Sequence, residues 1–166
     1  MAHLIEKNQS TDLNRIKELK ILIRDLNIEG VKHDFALLLL EKPIQREKYF
    51  SLINDLDPFP LLTVSGCVND PFSGTIRQIT HSNALPYKKD DGIIYAIDTK
   101  FGQNGSPVYI TDKNDVQLLG IHKAYSVRDK LNIAVFITAD LIAILEKWAV
   151  EMNTSFIVLS MKNIAL

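Results

Sequence analysis

From Asp57 onward, short apolar segments alternate with clusters of turn-forming residues. This alternation constrains the fold more than any other feature of the sequence. Turn clusters such as Asn69-Asp70-Pro71 and Lys89-Asp90-Asp91-Gly92 separate the segments. The spacing is typical of an all-β barrel or sandwich. It predicts six strands, over residues 61–66, 74–79, 92–98, 107–111, 116–122 and 132–137.

One helix is predicted after the strands. Apolar residues from Leu141 to Ala149 recur at helical intervals, Thr138 is a candidate N-cap, and Asp140 falls in the first turn. We therefore expect a β unit closed by a C-terminal amphipathic helix over residues 57–152. Residues 153–166 show no clear period and receive no assignment.

The N-terminal third predicts few strands. Phe35–Leu40 is a continuous apolar run, which predicts a strand buried on both faces. Residues 16–23 fit either a strand or a helix. About two strands cannot close a barrel, so residues 1–56 are expected to form only part of one.

Composition excludes several classes of function. Lys and Arg number 19 against 20 Asp and Glu, which leaves no global positive field for nucleic acid. One cysteine and four scattered histidines predict neither a disulfide nor a zinc site of the usual spacing, and we expect no cofactor. The sequence shows no apolar run long enough to cross a membrane, and its first residues do not resemble a signal peptide. A soluble globule is expected.

Residues 98–108 are the segment most indicative of a functional site, with the sequence Asp-Thr-Lys-Phe-Gly-Gln-Asn-Gly-Ser-Pro-Val. Asn104-Gly105 is a favoured pair for a two-residue hairpin loop, so one interpretation is a plain chain reversal. The other is functional. Gly102 to Val108 resembles the nucleophile loop of chymotrypsin-like serine peptidases, closest to glutamyl endopeptidases, whose pattern is Gly-x-Ser-Gly-Ser-Pro-Val.

The resemblance assigns roles within this loop. The backbone N–H groups of Gly102 and Asn104 would point at a developing oxyanion. Asn104 occupies the position of the nucleophilic serine. A carboxamide has no hydroxyl for a histidine to activate, so catalysis by the serine mechanism should be absent.

Two upstream segments resemble the rest of the family's catalytic triad. Asp34 followed by Phe-Ala-Leu-Leu-Leu-Leu resembles the segment that carries the catalytic aspartate, and Ala2-His3 resembles the end of Thr-Ala-Ala-His, with His3 as general base. The order histidine, aspartate, nucleophile position matches the chymotrypsin arrangement. His33 is a weaker alternative base, because neighbouring strand residues face opposite sides.

A specificity pocket is also implied. Leu-Leu-Gly-Ile-His, ending at His122, resembles the family's Ile-Gly-Ile-His, and Thr99 lies five residues before position 104. In glutamyl endopeptidases these positions hold a substrate carboxylate, and both side chains can donate hydrogen bonds. A buried barrel histidine is the alternative for His122. Family members have small residues after this histidine, whereas here Lys123, Ala124 and Tyr125 follow.

The resemblance implies a trypsin-like β-barrel fold, with a complete second six-stranded barrel and an incomplete first one. Family members carry three further strands before the histidine, so the chain is expected to be N-terminally truncated. Three functions stay open: a pseudoenzyme that binds peptides or proteins, a serine endopeptidase that cleaves after acidic residues when serine occupies position 104, and a purely structural barrel. Full-length members are often secreted, but the sequence itself does not assign a compartment.

Overall fold

A computed structural model describes residues 16–22, 35–42, 49–55, 61–69, 76–89, 92–112 and 115–153. Its elements, in chain order, are β1 (Ile16–Leu22), β2 (Phe35–Leu40), β3 (Ser51–Leu52), β4 (Leu62–Asn69), β5 (Ile76–Ala84), β6 (Tyr87–Lys89), β7 (Gly92–Tyr95), β8 (Pro107–Asp112), β9 (Asp115–Ser126), β10 (Leu131–Phe136) and α1 (Ala139–Glu151). None of the helical segments in these ranges is long and apolar enough to cross a membrane.

The main sheet curls back on itself. Its strand order is β5-β4-β8-β9-β10-β7-β6, with antiparallel pairing between neighbours. The two ends of this order, β5 and β6, are consecutive in the chain and separated only by Leu85 and Pro86. Together they act as one bent strand, which gives the six-stranded barrel that the turn pattern predicts.

Each of the six predicted strands is present, with bounds shifted by a few residues. The largest difference is in β5, which continues through Thr80, His81 and Ser82 to Ala84. Its polar residues are accommodated by cross-strand hydroxyl pairs, since Thr63 Oγ1 lies 3.0 Å from Ser82 Oγ and Ser65 Oγ lies 2.7 Å from Thr80 Oγ1. The short strands β3 and β6 were not predicted; β3 adds to β9 in parallel.

The barrel interior is filled by the inward-facing side chains of its strands. Because side chains alternate along a strand, every second residue can reach the same core. The core contains Ile53, Leu62, Val64, Ala84, Ile93, Tyr95, Ile97, Val108, Leu119, Ala134 and Phe136. Tyr95 is the largest of the fully buried side chains, and it places a hydroxyl among the apolar side chains of this core.

A second apolar cluster joins the helix to the outside of the barrel. Leu141 of α1 packs with Val135 and Ile137, and the ring of Phe35 lies 5.6 Å from that of Trp148. The helix begins as predicted, because Thr138 Oγ1 accepts a hydrogen bond from the Leu141 N–H at 3.1 Å. This cluster connects β2 to the barrel.

The strand Phe35–Leu40 has the predicted bounds, but the prediction that both its faces are buried is wrong. Phe35 is buried and Ala36 is exposed, while the four leucines that follow are half-buried. The uncertainty over residues 16–23 is resolved in favour of a strand, since β1 pairs with β2 in antiparallel register. Within the described residues this sheet has only two strands, which is consistent with the partial exposure of its leucines.

Candidate active-site loop

The loop between β7 and β8 is built from two consecutive β-turns that share Gln103. The first turn is closed by a hydrogen bond from the Gln103 N–H to the Lys100 carbonyl at 3.2 Å, and the second by one from the Ser106 N–H to the Gln103 carbonyl at 3.0 Å. The third residue of each turn is a glycine with positive φ, 97° at Gly102 and 88° at Gly105. A type II turn requires positive φ at this position, so the two glycines determine the shape of the loop.

This geometry rules out the plain hairpin. A two-residue Asn-Gly hairpin of type I′ needs positive φ at both residues. Among the residues that the structure describes, the non-glycine residues with positive φ are Lys130 and Asn153, and Asn104 is not one of them. In addition, β7 pairs with β6 and β10 whereas β8 pairs with β4 and β9, so the strands on either side of the loop are not partners. The hairpin interpretation is therefore wrong.

Gln103 anchors the loop from within. Its side chain is 1% exposed, and its Oε1 accepts a hydrogen bond from the Lys100 N–H at 2.6 Å. Beneath it lies Gly66 of β4, where an added Cβ would come within 3.3 Å of Gln103 Cγ. The amide nitrogen Nε2 of Gln103 is buried without a partner in the described ranges. The loop thus rests directly on the barrel wall.

Two backbone hydrogen bonds fasten the end of the loop to β9. The Gly105 N–H donates to the His122 carbonyl at 2.7 Å, and the His122 N–H donates to the Ser106 carbonyl at 2.8 Å. With Gln103 and Ser106 engaged in the turns, the N–H groups of Gly102 and Asn104 are left without an acceptor among the described residues. Unpaired N–H groups held by a rigid loop are suited to an anionic or carbonyl oxygen.

His122 is a buried histidine whose side chain has one hydrogen-bond partner among the residues that the structure describes. Its side chain is 3% exposed, and its Nδ1 lies 2.7 Å from the Tyr95 hydroxyl. Burial lowers the pKa of His122 below the ordinary value for histidine, and burial also raises the pKa of Tyr95. Both side chains are consequently neutral near pH 7. In the part of the chain that the structure describes, His122 Nε2 has no hydrogen-bond partner.

Thr99 is held by a second buried polar side chain, Asn132. The Thr99 hydroxyl donates to Asn132 Oδ1 at 2.7 Å, and Asn132 Nδ2 donates to the Ile97 carbonyl. Asn132 is 1% exposed and lies opposite Tyr95 in the pairing of β10 with β7. The two residues predicted to line a pocket, Thr99 and His122, are therefore held by a pair of facing residues on neighbouring strands.

Solved structures of proteases have the same arrangement of strands. A Glu endopeptidase is 22% identical over 81% of this chain and 63% of its own, with a TM-score of 0.66. The protease of tobacco vein mottling virus is 18% identical over 70% of this chain and 52% of its own, with a TM-score of 0.50. The chain has the trypsin-like β-barrel fold.

The likeness is structural and partial. No protein-family model matches the sequence, and no curated protein matches it. The chain spans 63% of the length of the Glu endopeptidase. What it shares with these proteases is the fold.

The two residues that the sequence resemblance predicts to complete a catalytic triad, His3 and Asp34, lie outside the described residues. Their placement beside Asn104 stays a prediction, although Asp34 directly precedes β2 in the sequence. Asn104 itself is exposed in the loop. Within the described ranges, no three His, Cys, Asp or Glu side chains come together as metal ligands would.

Sequence reasoning did not find the residues that hold this site. The sequence pattern places Tyr95 and Asn132 in predicted strands and Gln103 in the predicted loop, without a role for their side chains. A polar side chain inside an otherwise apolar strand could have indicated them. Such a side chain is expected to be buried, and a buried amide or phenol normally has a hydrogen-bond partner. His81 lies in β5 opposite Val64, with Nε2 buried.

Proposed function

We propose that this chain is a pseudo-peptidase, a relative of chymotrypsin-like serine peptidases that binds peptides without cleaving them. The observation that carries the proposal is the loop of residues 100–106. It leaves the N–H groups of Gly102 and Asn104 unpaired among the described residues, and Asn104 is the residue that the sequence resemblance aligns with the nucleophile. The fold it shares with proteases supports the relation to peptidases.

Absence of cleavage follows from the chemistry of Asn104. Its carboxamide carries no hydroxyl, so a base at His3, oriented by Asp34, would have no nucleophile to activate. Loss of the serine from such a triad leaves a residual rate of about 10³ to 10⁴ over water, which comes from the oxyanion hole and from binding. Ordinary assays do not detect that rate.

Peptide binding would use three features of the barrel. The N–H groups of Gly102 and Asn104 would hold a peptide carbonyl oxygen, and Thr99 with His122 would hold a side chain. The backbone of the peptide would lie along β9. Pairing of β8 with β9 stops at Pro107 opposite Ile121, so residues 124–126 face no β8 partner among the described residues and offer an edge for an added strand.

Peptide binding and turnover test this proposal directly. Fluorescence polarisation with labelled peptides should show saturable binding to the unmodified chain, and mass spectrometry after overnight incubation should show the peptides intact. His122→Ala should weaken binding roughly tenfold, through loss of a buried polar contact. His81→Ala, a matched change on β5, should leave binding unchanged once both variants are shown to unfold cooperatively.

Two results would overturn the proposal. Turnover of peptides by the unmodified chain would establish an active peptidase. A complete lack of binding by a folded chain, or binding indifferent to His122→Ala, would leave a barrel with a structural role.

One observation favours a second function, an active serine endopeptidase when serine occupies position 104. The backbone shape of the loop is set by Gly102, Gln103 and Gly105, and Asn104 has negative φ. Among the described residues, its side chain has no hydrogen-bond partner. A serine would fit the same backbone without strain.

A further inference from the structure

Asn104 and Gly105 are neighbours in the chain that can react with each other. The carbon of an asparagine carboxamide is an electrophile, and the main-chain nitrogen of the following residue can attack it to close a five-membered ring. Glycine in the second position favours this reaction, because it has no Cβ to obstruct the approach. Asn104-Gly105 is the only Asn-Gly pair in the sequence.

Both residues are open to water in the loop between β7 and β8. Asn104 and Gly105 are exposed, and a Cβ built on Gly105 would meet no atom within 4 Å. Among the residues that the structure describes, the Asn104 side chain has no hydrogen-bond partner. Water can therefore reach the carboxamide, and no hydrogen bond within the described ranges holds it in place.

The folded loop keeps the two reacting atoms apart. The Gly105 N–H donates to the His122 carbonyl at 2.7 Å, so the nitrogen that would attack is already engaged. In a type II turn the first central residue, here Asn104, has ψ of about +120°. This rotation places the next nitrogen away from Cβ about the Cα–C bond, whereas ring closure requires the two to be eclipsed. The peptide unit between residues 104 and 105 must therefore rotate, and that rotation breaks the bond to His122.

We propose that Asn104 and Gly105 form a self-modification site that the hydrogen bond from Gly105 to His122 holds inactive. When the loop leaves β9, the Gly105 nitrogen bonds to Asn104 Cγ, its proton passes through water to Nδ2, and the Cγ–Nδ2 bond breaks with release of ammonia. Water then adds to one of the two ring carbonyl carbons. Opening at Cγ gives aspartate, and opening at the main-chain carbonyl gives isoaspartate. This inference is independent of the proposed function, because it involves no bound peptide.

The modification changes how the loop is fastened. The ring intermediate has no hydrogen on the Gly105 nitrogen, so the bond to the His122 carbonyl cannot form in it. Isoaspartate routes the main chain through its side chain and adds a methylene group, which alters the turn closed between Gln103 and Ser106. Aspartate keeps the backbone but adds a negative charge at an exposed position. Because ammonia is lost, the step does not reverse.

Peptide mapping of the full chain measures this reaction. The chain is incubated for several days at mildly alkaline pH, once in native buffer and once in urea that unfolds it. Aspartate and isoaspartate at each asparagine are then quantified by liquid chromatography and mass spectrometry. In urea, residue 104 should be the fastest site. In native buffer it should react at least roughly fivefold more slowly than in urea, since a hydrogen bond must open first.

The other asparagines are internal references, because each is followed by a residue larger than glycine. Little modification of residue 104 relative to these asparagines in the unfolded chain would overturn the assignment of the site. An equal or faster reaction of residue 104 in native buffer than in urea would overturn the restraint by the folded loop.

Hydroxylamine identifies the ring intermediate, because it attacks the ring and cleaves the chain between residues 104 and 105. Two fragments that end at this bond should accumulate from the unmodified chain in urea. They should not accumulate from Asn104→Gln, whose longer side chain must close a six-membered ring. Equal amounts of these fragments from both proteins would show that cleavage does not pass through the Asn104 carboxamide.

A variant on β4 tests the restraint in the folded chain. Gly66 lies beneath the loop, and a Cβ there would meet Ser106, the residue after Gly105. Gly66→Ala should displace this end of the loop and raise the rate of modification several-fold in native buffer, with no change in urea. Cys67→Ala, at the neighbouring exposed position, is the matched control and should change neither rate. A folded Gly66→Ala variant that reacts no faster than the unmodified chain would overturn the restraint.

Discussion

Gly66 lies so close to Ser106 that no residue with a side chain would fit at position 66 without displacing Ser106. A Cβ added to Gly66 would lie 2.0 Å from Ser106 Oγ and 3.1 Å from Ser106 Cβ. Gly66 belongs to β4 and Ser106 to the end of the loop, so the contact sets how deeply the loop rests in the barrel wall. Strand and loop meet here because β4 carries no side chain at this residue.

Gly66→Ala should therefore destabilise the protein. The new methyl group forces Ser106 away and displaces the loop, a form of overpacking that costs about 2 kcal/mol. Urea unfolding followed by circular dichroism should show this loss as a lower midpoint with an unchanged slope.

A double variant identifies the cause. Gly66→Ala combined with Ser106→Gly removes the clash and should recover part of the lost free energy of unfolding. Cys67→Ala, at the neighbouring exposed residue, should be nearly neutral. A Gly66→Ala variant as stable as the unmodified chain would show that the contact does not constrain the loop.

The sequence predicts a contact in this fold only when the two residues are close together along the chain. The Thr138 cap is predictable because Leu141, which it bonds, is three residues away. The glycines at 102 and 105 likewise mark local turns. Tyr95 and Asn132 are different: their partners lie 27 and 33 residues away, so only the strand register brings them together.

The same reason explains the missed part of β5. The sequence predicts a strand that ends at residue 79, since Ser82, Asn83 and Pro86 are typical of turns. In the barrel the hydroxyls of residues 80 and 82 pair with Ser65 and Thr63 on β4, which supplies partners that the local sequence does not show. Polar residues in a strand can be interpreted only when the neighbouring strand is known.

Asn104→Ser should create a nucleophile at the exposed apex of the loop. A serine at this position adopts the same negative φ and places its hydroxyl where the carboxamide was. Incubation with a fluorophosphonate probe, followed by intact-mass spectrometry, should show one covalent adduct on Asn104→Ser and none on Asn104→Ala.

Peptide mapping must place that adduct on residue 104. The double variant Asn104→Ser/Ser106→Ala should still be labelled, because Ser106 is buried against Gly66. Failure of well-folded Asn104→Ser to react would contradict the assignment of this loop as a nucleophile loop.

The two predicted triad residues that lie outside the described ranges can be tested in the same background. If His3 is the base and Asp34 orients it, His3→Ala and Asp34→Asn should each slow labelling of Asn104→Ser by about 10³-fold or more. His33→Ala is the matched control, since this histidine adjoins Asp34 in the sequence. Greater sensitivity to His33→Ala than to His3→Ala would reassign the base to His33.

Acid should destabilise the protein through His122. Burial lowers the pKa of this imidazole in the folded state, whereas in the unfolded chain it lies near 6.5. Above the unfolded pKa both states are neutral at this residue, and the histidine contributes no pH dependence. As the pH falls below about 6.5 the unfolded chain takes up a proton that the folded chain does not, so the free energy of unfolding decreases until the folded pKa is reached.

The change per pH unit cannot exceed about 1.4 kcal/mol for a single proton. Urea unfolding at a series of pH values between neutral and mildly acidic should show a steeper fall for the unmodified chain than for His122→Gln, whose amide oxygen can still accept from Tyr95. Carboxyl groups titrate in both proteins, so their contribution cancels in the difference. Parallel curves for the two proteins would mean that His122 is protonated as readily in the barrel as in the unfolded chain, which the burial of its ring and its contact with Tyr95 argue against.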